Sequence, residues 1–177
     1  MRKIFRYLVV VAVLAFSGCG MHLPLFESDV SLKLAQIDAA LAKSFPKTLK
    51  SSFGQVTIVG AMTEPGNGEK QLIVLSRFTL VSFEIPEGID GTVRFSGTLR
   101  YDQKSRTLYL AKLKAVDLTF NNPSLLEYVS EASRKGIPPL IASVLQRIPL
   151  RKMSNSFQAA GIREITVKNE TVEIDFQ

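Results

Sequence analysis

Residues 55–120 alternate apolar and polar side chains through most of their length, and no other feature constrains the fold as much. Val56, Ile58 and Gly60 alternate with Thr57, Val59 and Ala61. Further on, Val93, Phe95, Gly97, Leu99 and Tyr101 alternate with Arg94, Ser96, Thr98 and Arg100. A period of two sends successive side chains to opposite faces of a strand. Glu64-Pro65-Gly66-Asn67-Gly68, Pro86-Glu87-Gly88 and Asp102-Gln103-Lys104-Ser105 interrupt the pattern with residues that fix φ or tolerate positive φ. The spacing predicts four strands joined by short turns, an antiparallel meander. At about 10–15 residues each, the strands exceed the usual mode of about 5–6. Twist accumulates along such strands, so the sheet is expected to curl strongly, with Gly60 and Gly97 at bends or bulges.

The flanks read as helices and short strands. Val30, Leu32 and Leu34 alternate, which predicts a brief strand. Leu34, Ile37, Leu41 and Phe45 then recur at helical spacing up to Pro46, predicting a helix over 34–45. Asn122-Pro123 is a helix start, an Asn cap followed by Pro in the first turn. Leu125, Leu126, Val129 and Ala132 give its stripe, and Gly136-Ile137-Pro138-Pro139 is expected to interrupt it before a second piece from Pro138 to Arg147. One or two further turns are expected at 154–160. Ile165 and Val167, then Val172, Ile174 and Phe176, flank Lys168-Asn169-Glu170 as a terminal hairpin. The fold class is therefore α+β: a strongly curled antiparallel meander with an N-terminal helix and a broken C-terminal helix packed along it.

The first residues carry targeting information. Arg2, Lys3 and Arg6 precede an apolar run from Tyr7 to Phe16, then Ser17, Gly18 and Cys19. This is the order of a secretory signal, and the run is shorter than the roughly 20 residues a membrane span needs. Phe16-Ser17-Gly18-Cys19 resembles the bacterial lipobox, departing from it at Phe16, where Leu is preferred. That resemblance implies a diacylglycerol on the Cys19 thiol and cleavage before it. Cys19 is the only cysteine of the 177 residues, so no disulfide competes for it. The expected organisation is a signal peptide at 1–18, a lipidated tether at 19–28 and one α+β domain at 29–177. Gly20 follows Cys19 where an inner-membrane retention signal would carry Asp, which implies the outer membrane, facing the periplasm. Loss of Arg2, Lys3 and Arg6 halves the formal charge of +6, and the remaining cations are scattered, so no nucleic-acid partner is expected.

Catalysis lacks its parts. His22, the only histidine, stands three residues from Cys19, outside the domain, so neither a Ser-His-Asp arrangement nor a histidine metal site can form there. Glu84 with Glu87 and Glu170 with Glu173 read as solvated charges near turns. No phosphate loop, metal or cofactor is implied. The segment from Gln71 to Ile85 is informative in another way. Leu72, Val74, Phe78 and Leu80 share it with Ile73, Leu75, Val81 and Phe83, so both faces are apolar, whereas a one-sided sheet alternates cleanly. Either the second face is covered within the fold or it lines a cavity open to a ligand.

Leu34-Ala35-Gln36-Ile37-Asp38-Ala39-Ala40-Leu41-Ala42-Lys43, the Pro-containing helix around Ile137 to Leu145, and Gly161-Ile162-Arg163-Glu164-Ile165-Thr166-Val167 are similar to the YceB-like family of uncharacterised bacterial lipoproteins. That family distantly resembles the tubular lipid-binding superfamily, in which helices and a curled sheet enclose an apolar tunnel. The resemblance implies a non-catalytic module, anchored to a membrane, that binds a lipid or other apolar small molecule. Phe78, Leu80, Phe95, Leu99, Val129, Ile141 and Val144 are the candidate lining, with Gly97 leaving room beside them; plain core is their alternative role. An envelope accessory protein with a solid core and a protein partner is the rival reading.

Overall fold

The computed structural model describes residues 29–154 and 162–176. The expected signal, tether and Cys19, and nearly all of the turn expected at 154–160, lie outside the described residues. Within them the chain runs β1 (Asp29–Lys33), α1 (Leu34–Ala42), β2 (Lys47–Ser51), β3 (Gly54–Pro65), β4 (Leu72–Val81), β5 (Ile89–Asp102) and β6 (Thr107–Phe120). A 3-10 helix (Pro123–Tyr128), α2 (Glu131–Leu145), β7 (Arg151–Lys152), β8 (Ile162–Lys168) and β9 (Thr171–Phe176) follow.

The meander is present as β3 to β6, with strands of 12, 10, 14 and 14 residues, all paired antiparallel. Two short strands that the apolar pattern does not reveal extend it to six, in the order β2-β3-β4-β5-β6-β7. The strong curl is not found: the sheet is open, with β2 and β7 as separate edges. The register shifts between Ile58 and Gly60, between Arg94 and Phe95, and between Ser96 and Thr98. Bulges at these places absorb bend and twist locally, so long strands need not coil into closure. Gly60 and Gly97 both sit at these shifts, as the sequence led one to expect.

A second sheet orders β1-β9-β8, so the terminal hairpin takes the first strand as its third member. Asn169 and Glu170, both at positive φ, make its two-residue turn. One core joins the two sheets: Leu32, Val172, Ile174 and Phe176 belong to the same buried cluster as Val56, Phe78, Phe95 and Ile141. The β3–β4 turn and the small sheet are also tied by polar contacts. The Val167 amide donates to the Glu69 carbonyl, and the Lys70 ammonium lies 2.6 Å from Glu164.

Helix α1 starts directly out of β1. The Gln36 side chain accepts from the Lys33 amide at 3.2 Å, and the Leu34 amide donates to the Glu170 carbonyl in the β8–β9 turn. Leu34, Ile37 and Leu41 are buried as the stripe required. The helix ends at Ala42, short of 45, because the residue before Pro46 is pushed out of the helical region.

The C-terminal helix is broken, but not where the prolines suggested. Helix α2 runs unbroken through Pro138 and Pro139, and the interruption falls at Val129 and Ser130. The Ser130 hydroxyl caps α2 by accepting from the Ser133 amide at 3.1 Å. Two prolines remove two backbone donors inside the helix. Burial of Ile137, Ile141, Ala142, Val144 and Leu145 offsets that loss. Gly136 makes room for Phe53: a Cβ there would stand 2.3 Å from Cε1 of its ring, which would have to shift. Both helices lie against the main sheet, α1 on β3 and α2 on β6 and β3.

Candidate functional site

Phe78, Leu80, Phe95, Val129, Ile141 and Val144 are all buried in the central cluster, and Leu99 packs half-buried against it. The structure thus brings the seven candidates into one core between sheet and helices. Phe78 also meets Phe120 edge to face at 5.7 Å. The room expected over Gly97 is taken: a Cβ there would stand 2.5 Å from Cδ2 of Leu113.

Open space is found elsewhere. A cleft of about 680 Å³ lies between α1 and the β3–β4 part of the sheet, and none of the seven candidates lines it. Its geometry follows from strand length. β2 pairs only with Gly54–Ile58, so β3 beyond the Ile58/Gly60 shift has no strand on its outer edge. An unpaired edge leaves backbone donors and acceptors to be satisfied otherwise. Helix α1 takes that place. One Asp38 carboxylate oxygen accepts from the Thr63 amide and the Thr63 hydroxyl, both at 2.7 Å. The helix is thereby pinned to β3 by a side chain where a strand would have used backbone.

The pin holds the helix near one end of the cleft and leaves Ala39 and Ala42 facing the gap. Short side chains there keep it open. The opposite wall is Val59, Ala61 and Met62 of β3 with Leu75 of β4. Met62 and Leu75 are cross-strand partners. Val59 and Met62 are 46% and 54% exposed, unusual for large apolar side chains in mid-strand. Arg77 completes the lining, placed by its pairing with Gly60. Its Nη2 would be 3.8 Å from a Cβ at position 60, so the guanidinium passes over the bare glycine.

Sequence reasoning missed Asp38, Val59, Met62 and Arg77 as members of a site. The available signals were the second apolar face of β4, to which Leu75 belongs, and the glycine in β3. A second hollow of about 410 Å³ on the small sheet is lined by Glu164, Lys168, Glu173 and Asp175 among others. Three of these charges are engaged, Glu164 with Lys70, Lys168 with Glu69, and Asp175 with Arg163 at 3.2 Å. Lys70 holds the Glu164 carboxyl below its ordinary range, first by a hydrogen bond and then by its charge. Among the described residues, no group of three or more His, Cys, Asp or Glu side chains could hold a metal, and no helix is long and apolar enough to cross a membrane.

The class defined so far is an α+β domain of two antiparallel sheets, with an open apolar cleft where a helix replaces a missing edge strand. The chain belongs to DUF1439, a family described as a protein of unknown function, whose model matches residues 34–169. No curated protein matches it. A solved structure described as lipopolysaccharide binding protein is similar with a TM-score of 0.31 and 10% identity, over 85% of this chain and 40% of that one. The chain therefore spans less than half the length of that protein.

Proposed function

We propose that this chain is a non-catalytic lipoprotein, acylated on Cys19 and held at the outer membrane facing the periplasm, whose domain binds an apolar ligand in the α1–β3 cleft. One observation carries the ligand reading. A cleft of about 680 Å³ with exposed Val59 and Met62 has the size and lining of a small-molecule site, since such sites span about 300–1,000 Å³ and are mostly apolar. The anchor rests on the signal-like start and the lone Cys19. Two acyl chains suffice for stable membrane attachment.

Native mass spectrometry of residues 20–177 with uptake of a fluorescent fatty acid tests the ligand. Ala39→Trp fills the cleft from an exposed helix position, so it should abolish uptake with an unchanged melting temperature. Uptake that persists in Ala39→Trp, or none in the parent, refutes the site. For the anchor, Cys19→Ser should release the protein from membranes after a carbonate wash; retention would overturn that part. A protein-docking role has one observation in its favour, Phe83, which is 97% exposed in the β4–β5 loop.

A further inference from the structure

The cleft is apolar along its length but carries a cation at one place. On the outer face of the main sheet, Arg94 has Glu64 at 3.9 Å. Arg77, its neighbour one strand across and two residues along, forms no ion pair among the described residues, although it lines the cleft beside Leu75 and Met62. Two acids on neighbouring elements are engaged elsewhere. Asp38 turns an oxygen to Thr63, and the Asp90 carboxylate accepts from the Thr79 hydroxyl at 2.6 Å. Gly60 keeps the strand surface under the guanidinium bare. A planar, always-charged fork at the side of an apolar slot matches a carboxylate or phosphate joined to a hydrocarbon chain.

We infer that the cleft takes an anionic amphiphile, its chain laid along Ala39, Val59, Met62 and Leu75 and its acidic head on Arg77. This rests on the ligand reading above and specifies the class of ligand. The hydrocarbon part supplies the driving force by leaving water. Arg77 supplies selectivity for charge and sets which end of the chain lies toward β5. Half of Asp38 remains near the same slot, which disfavours a second negative charge deep in the cleft and places the head at the Arg77 end.

The test uses residues 20–177 and three probes with the same alkyl chain: a fatty acid, an alkyl phosphate and the uncharged methyl ester. Their affinities are compared in the parent and in Arg77→Gln by calorimetry. The parent should bind both anions more tightly than the ester. Arg77→Gln should weaken the anions about five- to tenfold, the range for a charge-assisted contact in a half-open site, and leave the ester unchanged. A stronger loss for the phosphate than for the fatty acid identifies a phosphate head, and the reverse a carboxylate. If all three bind the parent alike and Arg77→Gln changes nothing, the inference fails while the apolar cleft stands. If none binds, the ligand reading itself fails. Arg77→Lys separates charge from shape: it should recover part of the affinity for both anions, and no recovery would place the effect in the fork geometry alone.

Discussion

The pin between Asp38 and Thr63 can be tested by its energy. Asp38→Ala deletes two hydrogen bonds of 2.7 Å, to an amide and a hydroxyl on a residue that is only 7% exposed. A hydrogen bond to a charged group contributes about 1.5–3 kcal/mol, and leaving a buried donor unmade costs a similar amount. Asp38 is itself half-buried, so water can reach part of the gap and the two bonds do not sum fully. The expected loss is about 2–3 kcal/mol, or a melting temperature lower by about 5–10 °C for a domain of this size. Asp38→Asn keeps the acceptor oxygen and should lose less. Thr63→Val removes only the hydroxyl bond, so the double-mutant cycle of Asp38→Ala with Thr63→Val should give a coupling of about 1 kcal/mol. Urea denaturation of the four proteins measures it. A stability change below about 0.5 kcal/mol for Asp38→Ala, or no coupling, would refute the idea that this carboxylate holds α1 to the open strand edge.

Gly97→Leu should cost about 1–3 kcal/mol in chemical denaturation through overpacking against Leu113, whereas Gly60→Ala, which meets only a flexible guanidinium, should be near neutral; equal effects would refute the distinction. The Tyr101 hydroxyl is buried without a hydrogen-bond partner among the described residues, and burial pushes its pKa up, so Tyr101→Phe should leave stability unchanged or raise it by up to about 1 kcal/mol. A clear loss would show that the hydroxyl is bonded. The Glu164 carboxyl, lowered by Lys70, supports the turn-to-sheet contact above its ordinary value of 4.5 and loses that support as pH falls through the lowered one. Lys70, raised by the same bond, supports it below 10.5 and loses it as pH rises through the raised value. An NMR titration in which Glu164 titrates at or above the ordinary carboxylate position would contradict this.

The meander was legible because its apolar-rich runs extend over ten or more residues, with clear alternation in β3 and β5, and two of its three turns carry Gly, Pro or Asn. Strand β2, Lys-Thr-Leu-Lys-Ser, was not, since only Leu49 packs toward the core. That omission also concealed the site. The cleft exists because β2 begins only at Lys47, opposite Ile58, and leaves β3 beyond it uncovered, and strand pairing lengths are not written in any local pattern. Nothing in the sequence marks Asp38, and only its contact with Thr63, twenty-five residues away, gives it a role. The prolines of α2 misplaced the break, because their local cost is set against burial of a whole helix face. The pairing of β1 with β9 was equally invisible, although both strands were expected.

That pairing fixes an order of events. β9 is the centre of the small sheet, so neither β1 nor β8 has any other strand to pair with there. Val30 meets Ile174 and Leu32 meets Val172, partners from opposite ends of the chain. During synthesis, β1 must wait until β9 has emerged before its ladder hydrogen bonds can form. Contacts that distant in sequence are closed late and slowly. The domain is therefore held back from completing its fold until β9 has been made, and removing Thr171–Phe176 would undo β1 as much as β8.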